Sequence, residues 1–440
     1  MRWDEIFGIT ATIAELSQPH NKSGTTQPLS AENWGKLDLD GSYVPSALAS
    51  SQPKPRMRSI YLDYSTTTPV AASVRESMLP FLGEFYGHPS SSHWYGRAAQ
   101  EAIEDARSNV ASLLDCHPSE IVFTSGGTES VNLGLLGVAR AITRNIPELT
   151  PHFITTSLEH TCVRQCASQL EREGWHVSVL GCDRNGLVRV DELEGAIRNN
   201  TRLVSVIQAS HRIGTIQPIE AIAEVCRKHD ILFHTDAAQA VGKVDCTVES
   251  LGVDILSFSG HKIYAPKGIG VLYIRLGVPI EPILFGEGCE AGIRPGTANV
   301  PHIVGLGQAA KLAHAGLKST IDGISGLRDR FHQQLESIIG RIIPVHGAAA
   351  PRVPGILSIE LPGVDAEALQ QRLPEICFGP AVLSNGRTDG RVVNPTHAAL
   401  GLTAQQSTNT LQLSLGWTTS EDEMQRAVHL IAAAYESLVT

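Results

Sequence analysis

The sequence predicts an α/β fold: a mainly parallel sheet covered by helices, followed by a smaller α+β unit. Three observations predict it. From Ile121 to Ile274, short runs rich in β-branched residues alternate with stretches of helical periodicity, the pattern of strand–helix–strand crossovers. Glycine-dense turns occur at Ser125-Gly-Gly-Thr128 and Gly286-Glu-Gly288, where a chain approaches a ligand or another backbone closely. Beyond residue 310 the order becomes helix, strand, helix, strand and a final helix, as in a separate α+β unit.

The 440 residues suffice for two domains, and 42% hydrophobic content supplies a full core. We expect an irregular extension over 1–58, a large domain over 59–310 and a small C-terminal domain over 311–440. A net charge of -10 with no basic run argues against nucleic acid and anionic membrane as partners. No apolar run reaches the ~18 residues of a membrane span, and the acidic Asp4 and Glu5 do not suit a secretory signal. The eight cysteines form no CxxC pair, which suits a reducing, cytoplasmic setting. No metal-ligand spacing stands out.

Met1–Glu15 has the makings of a short helix, and the Ser, Pro and Gln content up to Arg56 reads as a wrapping arm. The folded body is expected from Ile60. Thr68 and Pro69 look like N-cap and first residue of a helix. A helix over Gly96–Leu114 follows from Ala99, Ile103, Ala106 and Val110 on one face. The strand Ile121–Thr124 then runs through the glycine turn into a helix from Val131 to Thr143, an arrangement whose free N–H groups and dipole favour an anion. Strands are expected at Phe153–Thr156, Val177–Leu180, Leu203–Ile207, Ile231–His234, Val253–Ser257 and Gly270–Ile274. Helices are expected at Cys162–Gly174, Val190–Asn199 and Ile219–His229. The C-terminal unit comprises helices over 300–315 and 324–339, a strand at Ile356–Leu361, a helix at Ala366–Leu373, a poorly patterned stretch over 376–394, a strand at Thr410–Leu415 and a helix at Glu421–Leu438.

Two of these strands end in chemistry. Phe233-His-Thr-Asp236 closes one apolar run on an aspartate, and Ser257-Phe-Ser-Gly-His-Lys262 closes the next on a lysine in a turn. Ligands of open α/β sheets gather at the carboxyl ends of strands. A lysine there, partly removed from water, can form a Schiff base, and an aspartate is the expected partner of a protonated pyridine nitrogen. Together they point to pyridoxal phosphate. Taken singly, Asp236 is equally at home as a helix cap before Ala237-Ala-Gln239, and Lys262 as a surface residue. His160 and His261 likewise read either as ring- and phosphate-facing groups or as loop histidines.

The motifs Tyr61-Leu-Asp-Tyr-Ser-Thr-Thr-Thr-Pro69, Phe123-Thr-Ser-Gly-Gly-Thr-Glu-Ser130, Glu159-His160, His234-Thr-Asp-Ala-Ala-Gln239, Ser257-Phe-Ser-Gly-His-Lys262 and Arg294-Pro-Gly-Thr297 occur in this order. Over residues 59–440 the chain resembles the class V, fold-type I pyridoxal phosphate enzymes of the NifS/IscS cysteine desulfurase and selenocysteine lyase group. The resemblance implies a large domain with a mainly parallel sheet of the seven-stranded type and a small α+β domain. It implies that Lys262 carries the cofactor, Asp236 holds its ring nitrogen, His160 stacks on the ring and Gln239 lies near the ring hydroxyl. Gly127, Thr128, Ser259 and His261 would bind phosphate, joined by Thr297 from the partner of a homodimer. Ser210, His211, Arg212, Arg294 and Gln412 would face an amino-acid-like substrate.

The chain departs from that family on the substrate side. The nucleophilic loop cysteine falls near Leu383-Ser-Asn-Gly-Arg387, which has none, and Cys377 upstream reads as a core residue in its apolar setting. The arginine that clamps a substrate carboxylate is replaced by Gln412, which lacks the charged fork. An Asn-Asn-Glu segment becomes Ser210-His-Arg212, Cys289 and Ala291 enter the Gly286–Gly292 turn, and His88 replaces an asparagine. Arg212, Arg387 and Arg391 are candidates for a relocated anion contact. An intact cofactor side with a rebuilt substrate side predicts an enzyme of altered reaction: elimination, decarboxylation or carbon–carbon bond formation on an amino-acid-derived substrate. The alternatives are release of sulfur or selenium from cysteine or selenocysteine, and a non-catalytic scaffold that keeps the cofactor.

Overall fold

The computed structural model describes residues 59–380 and 393–439. The expected helix over Met1–Glu15, the Leu383–Arg387 segment and Arg391 lie outside the described residues.

The strands are β1 (Ile60–Leu62), β2 (Ile121–Thr124), β3 (His152–Thr156), β4 (His176–Leu180), β5 (Thr201–Ser205), β6 (Leu232–Asp236), β7 (Ile255–Ser259), β8 (Gly270–Ile274), β9 (Ile356–Glu360), β10 (Ile376–Pro380) and β11 (Thr410–Ser414). Seven of them form one sheet in the order β2-β8-β7-β6-β5-β3-β4. Only β8 runs against its neighbours. The others pair in parallel through helical crossovers. This is the α/β, fold-type I arrangement expected. A sheet covered on both faces needs apolar side chains on both sides of each strand. Accordingly β2, β3, β7 and β8 are buried at every residue.

The second sheet has the order β1-β10-β11-β9. Its first strand comes from the beginning of the folded body, so β1 pairs in parallel with β10. Its core gathers Leu62, Phe331, Leu357, Ile359, Leu411, Leu413 and Ile431.

Three expectations change. The helices over 300–315 and 324–339 are one helix, Val300–Ile339. Its first part packs Ile303, Leu306 and Ala310 into the core of the large sheet, and its second part packs Phe331 and Leu335 into the core of the small one. Anchoring at both ends outweighs the cost of its internal glycines, about 1 kcal/mol each. Thr68 does not cap a helix, which begins at Ala72. Its hydroxyl instead donates to the His261 carbonyl and accepts from the Tyr264 amide. Cys377 is not a core residue. On β10, Ile376 and Phe378 point into the core, and strand alternation turns Cys377 out to the exposed face opposite Tyr61.

Candidate active site

Strand register brings the two predicted groups together. Asp236 at the end of β6 lies beside Ser257 of β7, and β7 leads into a single 3-10 turn, Gly260–Lys262. That turn must be tight: a Cβ on Gly260 would meet the Ile269 side chain at 2.8 Å. Lys262 Nζ donates to the Ser65 and Thr66 carbonyls, at 2.5 and 2.7 Å. Burial pushes its amine down to about 8, against the pull of Asp236 and Asp63. Asp236 is buried, and its Oδ1 accepts from the Ala238 amide at 3.0 Å, so it is also the local cap that a bare reading allowed. Burial pushes its carboxyl up, while His160 and Lys262 oppose this.

His160 stands at the start of the Thr161–Arg172 helix, where Nδ1 accepts from the Cys162 amide at 3.3 Å. Burial holds its ring below the usual imidazole range. Gln239 is fixed at both ends: Nε2 donates to the Ser65 carbonyl at 2.7 Å, and Oε1 accepts from Lys243 Nζ at 2.8 Å. Ser65 is therefore the hub on which Lys262 and Gln239 converge. It escaped sequence reasoning because it works largely through its carbonyl, which no side-chain pattern encodes. Lys243 was missed too, although an isolated lysine in the apolar run after Ala237 was a usable signal.

The glycine turn sits at the C-terminal end of β2. Gly126 has φ 152° and Gly127 starts a helix that continues through a π-stretch to Asn145. A Cβ on Gly127 would meet Ser259 Cβ at 3.3 Å, and one on Gly270 would meet the Gly126 carbonyl carbon at 2.5 Å. The turn thus brings Gly127 against Ser259, with Thr128 exposed at its rim. His261 Nδ1 reaches Thr67 Oγ1 at 3.1 Å.

The substrate-side candidates separate into two groups. Ser210 is fully buried and spends its Oγ on the Arg212 and Ile213 amides, shaping its own loop. His211 stands edge-on to His160 with ring centroids 5.5 Å apart, and its Nδ1 is buried without a hydrogen-bond partner. Arg212 Nη1 donates to Gln412 Oε1 at 3.3 Å. These groups come together. Arg294 does not join them: it pairs with Glu129, Nε to Oε1 at 2.9 Å, and Glu129 also accepts from the Ser125 amide. Thr297 is exposed and lines a cavity of ≈ 250 Å³ with Ser125, Cys289, Glu290 and Asn299. Among the described residues, no three His, Cys, Asp or Glu side chains are placed to hold a metal.

The residues fit pyridoxal phosphate. A lysine amine is held by neutral carbonyls rather than a bonded carboxylate, a buried carboxyl lies one strand away, and Gly270 of β8 leaves room for Gly126 of the glycine turn, whose Gly127 lies against Ser259 at the end of β7. A cofactor so held supplies an electron sink for charge developing at a substrate carbon.

A family model described as aminotransferase class-V matches residues 60–427. The cysteine desulfurase IscS of Neisseria meningitidis serogroup A / serotype 4A (strain DSM 15465 / Z2491) is 41% identical over 377 residues, covering 84% of this chain and 91% of that protein. The cysteine desulfurase IscS of Dictyoglomus turgidum (strain DSM 6724 / Z-1310) is 36% identical over 389 residues, covering 87% and 96%. Among solved structures, a NifS-like protein superposes with a TM-score of 0.78 at 32% identity, covering 87% of this chain and 99% of that one. SspA in complex with cysteine gives 0.70 at 34%, covering 81% and 98%.

Proposed function

The chain belongs to the class V aminotransferase family of pyridoxal phosphate-dependent enzymes, and from that premise we propose that it is a lyase acting on an α-amino acid with sulfur or selenium at the β-carbon. The observation that carries the reading is the likeness to proteins named cysteine desulfurase across more than four-fifths of the chain. The site supports it. With its amine pushed down to about 8, Lys262 has a sizeable neutral fraction near neutral pH and can take and return the proton at the substrate Cα. Asp236 would keep a proton on the cofactor's ring nitrogen. The His160 ring and Gln239, fixed by Lys243, would hold the cofactor ring and help to exclude water. Gly127, Thr128, Ser259 and His261 would hold the phosphate. Thr297, exposed on a cavity that Lys262 does not line, would complete the phosphate site of a second copy in a homodimer.

Cys377 is the last cysteine of the chain, and on this reading the segment near Leu383–Arg387 takes the place of the family's loop nucleophile without a cysteine. The reading therefore sends the sulfur to an outside thiol: cysteine plus a thiol yields alanine plus a persulfide. A thiol-rich compartment such as the cytoplasm suits this, as do eight free cysteines. Residues 59–310 and 311–440 are read as two domains that share the long helix.

The test is incubation of the holoenzyme with L-cysteine, with and without dithiothreitol, and assay of alanine and sulfide. Thiol-dependent alanine and sulfide in equal amounts support the reading. Their absence removes it and favours a second one, in which the same site eliminates, decarboxylates or forms a carbon–carbon bond on another amino acid. The exchange of charge between Arg212 and Gln412 favours that second reading. A bound cofactor with no turnover of any amine leaves the scaffold reading.

A further inference from the structure

We propose that Arg212 is the group that recognises the substrate's α-carboxylate, and that Gln412 is the bracket that sets its guanidinium in place. This rests on the amino-acid part of the proposed function but not on the sulfur chemistry.

An amino acid that brings its amine to Lys262 also brings a carboxylate, and out of water that charge needs a cation with two donors. Arg212 is linked to Lys262 through Gln412, whose amide bonds both Arg212 Nη1 and Ser65 Oγ, while Lys262 Nζ rests on the Ser65 carbonyl. Arg164 lies on the helix that His160 begins and donates to Thr161 Oγ1 at 3.1 Å. Lys243 is engaged by Gln239. Arg212 is thus the cation best placed beside the amine.

Gln412 explains how the guanidinium is aimed. It is buried on β11, in the small sheet, while Arg212 follows β5 in the large one. Its Nε2 donates to the His211 carbonyl at 2.8 Å and to Ser65 Oγ at 3.1 Å, which leaves Oε1 for Arg212 Nη1. Its amide therefore ties the Arg212 loop to Ser65, on whose carbonyl Lys262 rests. An arginine at 412 has no acceptor, so it cannot take the bond from Arg212 and would set two cations against each other. Once Arg212 enters the site, a neutral amide is the residue this position requires.

The test uses the holoenzyme's visible cofactor band, titrated with L-cysteine, L-serine and L-alanine and with their decarboxylated counterparts cysteamine, ethanolamine and ethylamine. The wild type is expected to half-saturate with the acids at concentrations about 10–100-fold below those for the amines, the worth of a charge-assisted hydrogen bond. Arg212→Gln removes that preference. Gln412→Glu removes it as well, because a fixed carboxylate then occupies the guanidinium. Arg212→Lys restores part of it. The amine titrations and cofactor content should stay unchanged in the two Arg212 variants, which separates lost recognition from lost folding. A wild type indifferent to the carboxylate, or an Arg212→Gln enzyme that keeps the acid preference, overturns the proposal. So does a band that no acid moves. Serine and alanine report on the carboxylate without sulfur, so a preserved acid preference with no sulfide from L-cysteine would sink the lyase reading and leave this one standing.

Discussion

The wall of the site around Asp236 and Lys262 is made of neighbouring strands, and the wall around Arg212 and Gln412 is not. On the first, β6 and β7 hold their residues by ladder hydrogen bonds, and glycine turns close the remaining space. On the second, a loop after β5 meets a strand 200 residues away through a few side-chain bonds. Changes on the first wall should remove chemistry, whereas changes on the second should retune what is bound.

Lys262→Ala is the most severe test of the first wall. Activity should fall by at least about 10³-fold, with loss of the covalent cofactor band and little change in unfolding temperature. Retained turnover would show that the base lies elsewhere.

Glu290→Ala tests a contact that anchors the glycine-rich turn. The Glu290 carboxylate receives two bonds from Arg107, at 2.7 and 2.9 Å, and one from the Phe123 amide, at 2.9 Å. Removing it strands a nearly buried guanidinium and should cost about 3 kcal/mol in urea unfolding. A loss under about 1 kcal/mol would mean that the pair is solvated.

Gln412→Ala is the milder test of the second wall. It should raise KM for the amino acid about 10-fold with kcat nearly unchanged, since it loosens binding rather than the transition state. A fall in kcat with KM constant would move Gln412 to the chemical step.

The smallest effect concerns Glu159, whose carboxyl burial pushes up to about 8. The folded chain keeps a proton there that the unfolded chain releases from about pH 4.5 upwards. Stability from this group is complete below pH 4.5 and declines as pH rises towards 8. Glu159→Gln keeps an acceptor for Thr156 and the Ile207 amide but cannot ionise. Its melting temperature should match the wild type at pH 4.5 and exceed it by about 2–4 °C at pH 8. A constant difference across that range would mean that the carboxyl titrates normally.

The two walls also differ in how much of them the sequence reveals. Strand periodicity and the ends of β6 and β7 are local signals, so the sheet, Asp236 and Lys262 can be read directly. The Arg212–Gln412 contact joins distant segments, and no local pattern encodes it. Ser65 is invisible for another reason, since its role falls on its backbone carbonyl. Cys377 misleads because an apolar run of three residues does not say which strand face is covered. Helix Val300–Ile339 looks like two helices because its middle, between the two cores, lacks an apolar stripe.

The central claim is a cofactor-loaded Lys262 that works on a cysteine-type amino acid. The most direct test is the holoenzyme's visible spectrum before and after L-cysteine, with alanine and sulfide assayed in the same sample. The account predicts a band that shifts on addition and, with a thiol present, equal amounts of both products. A band that ignores L-cysteine would contradict the substrate assignment, and a protein with no band after incubation with pyridoxal phosphate would contradict the site itself.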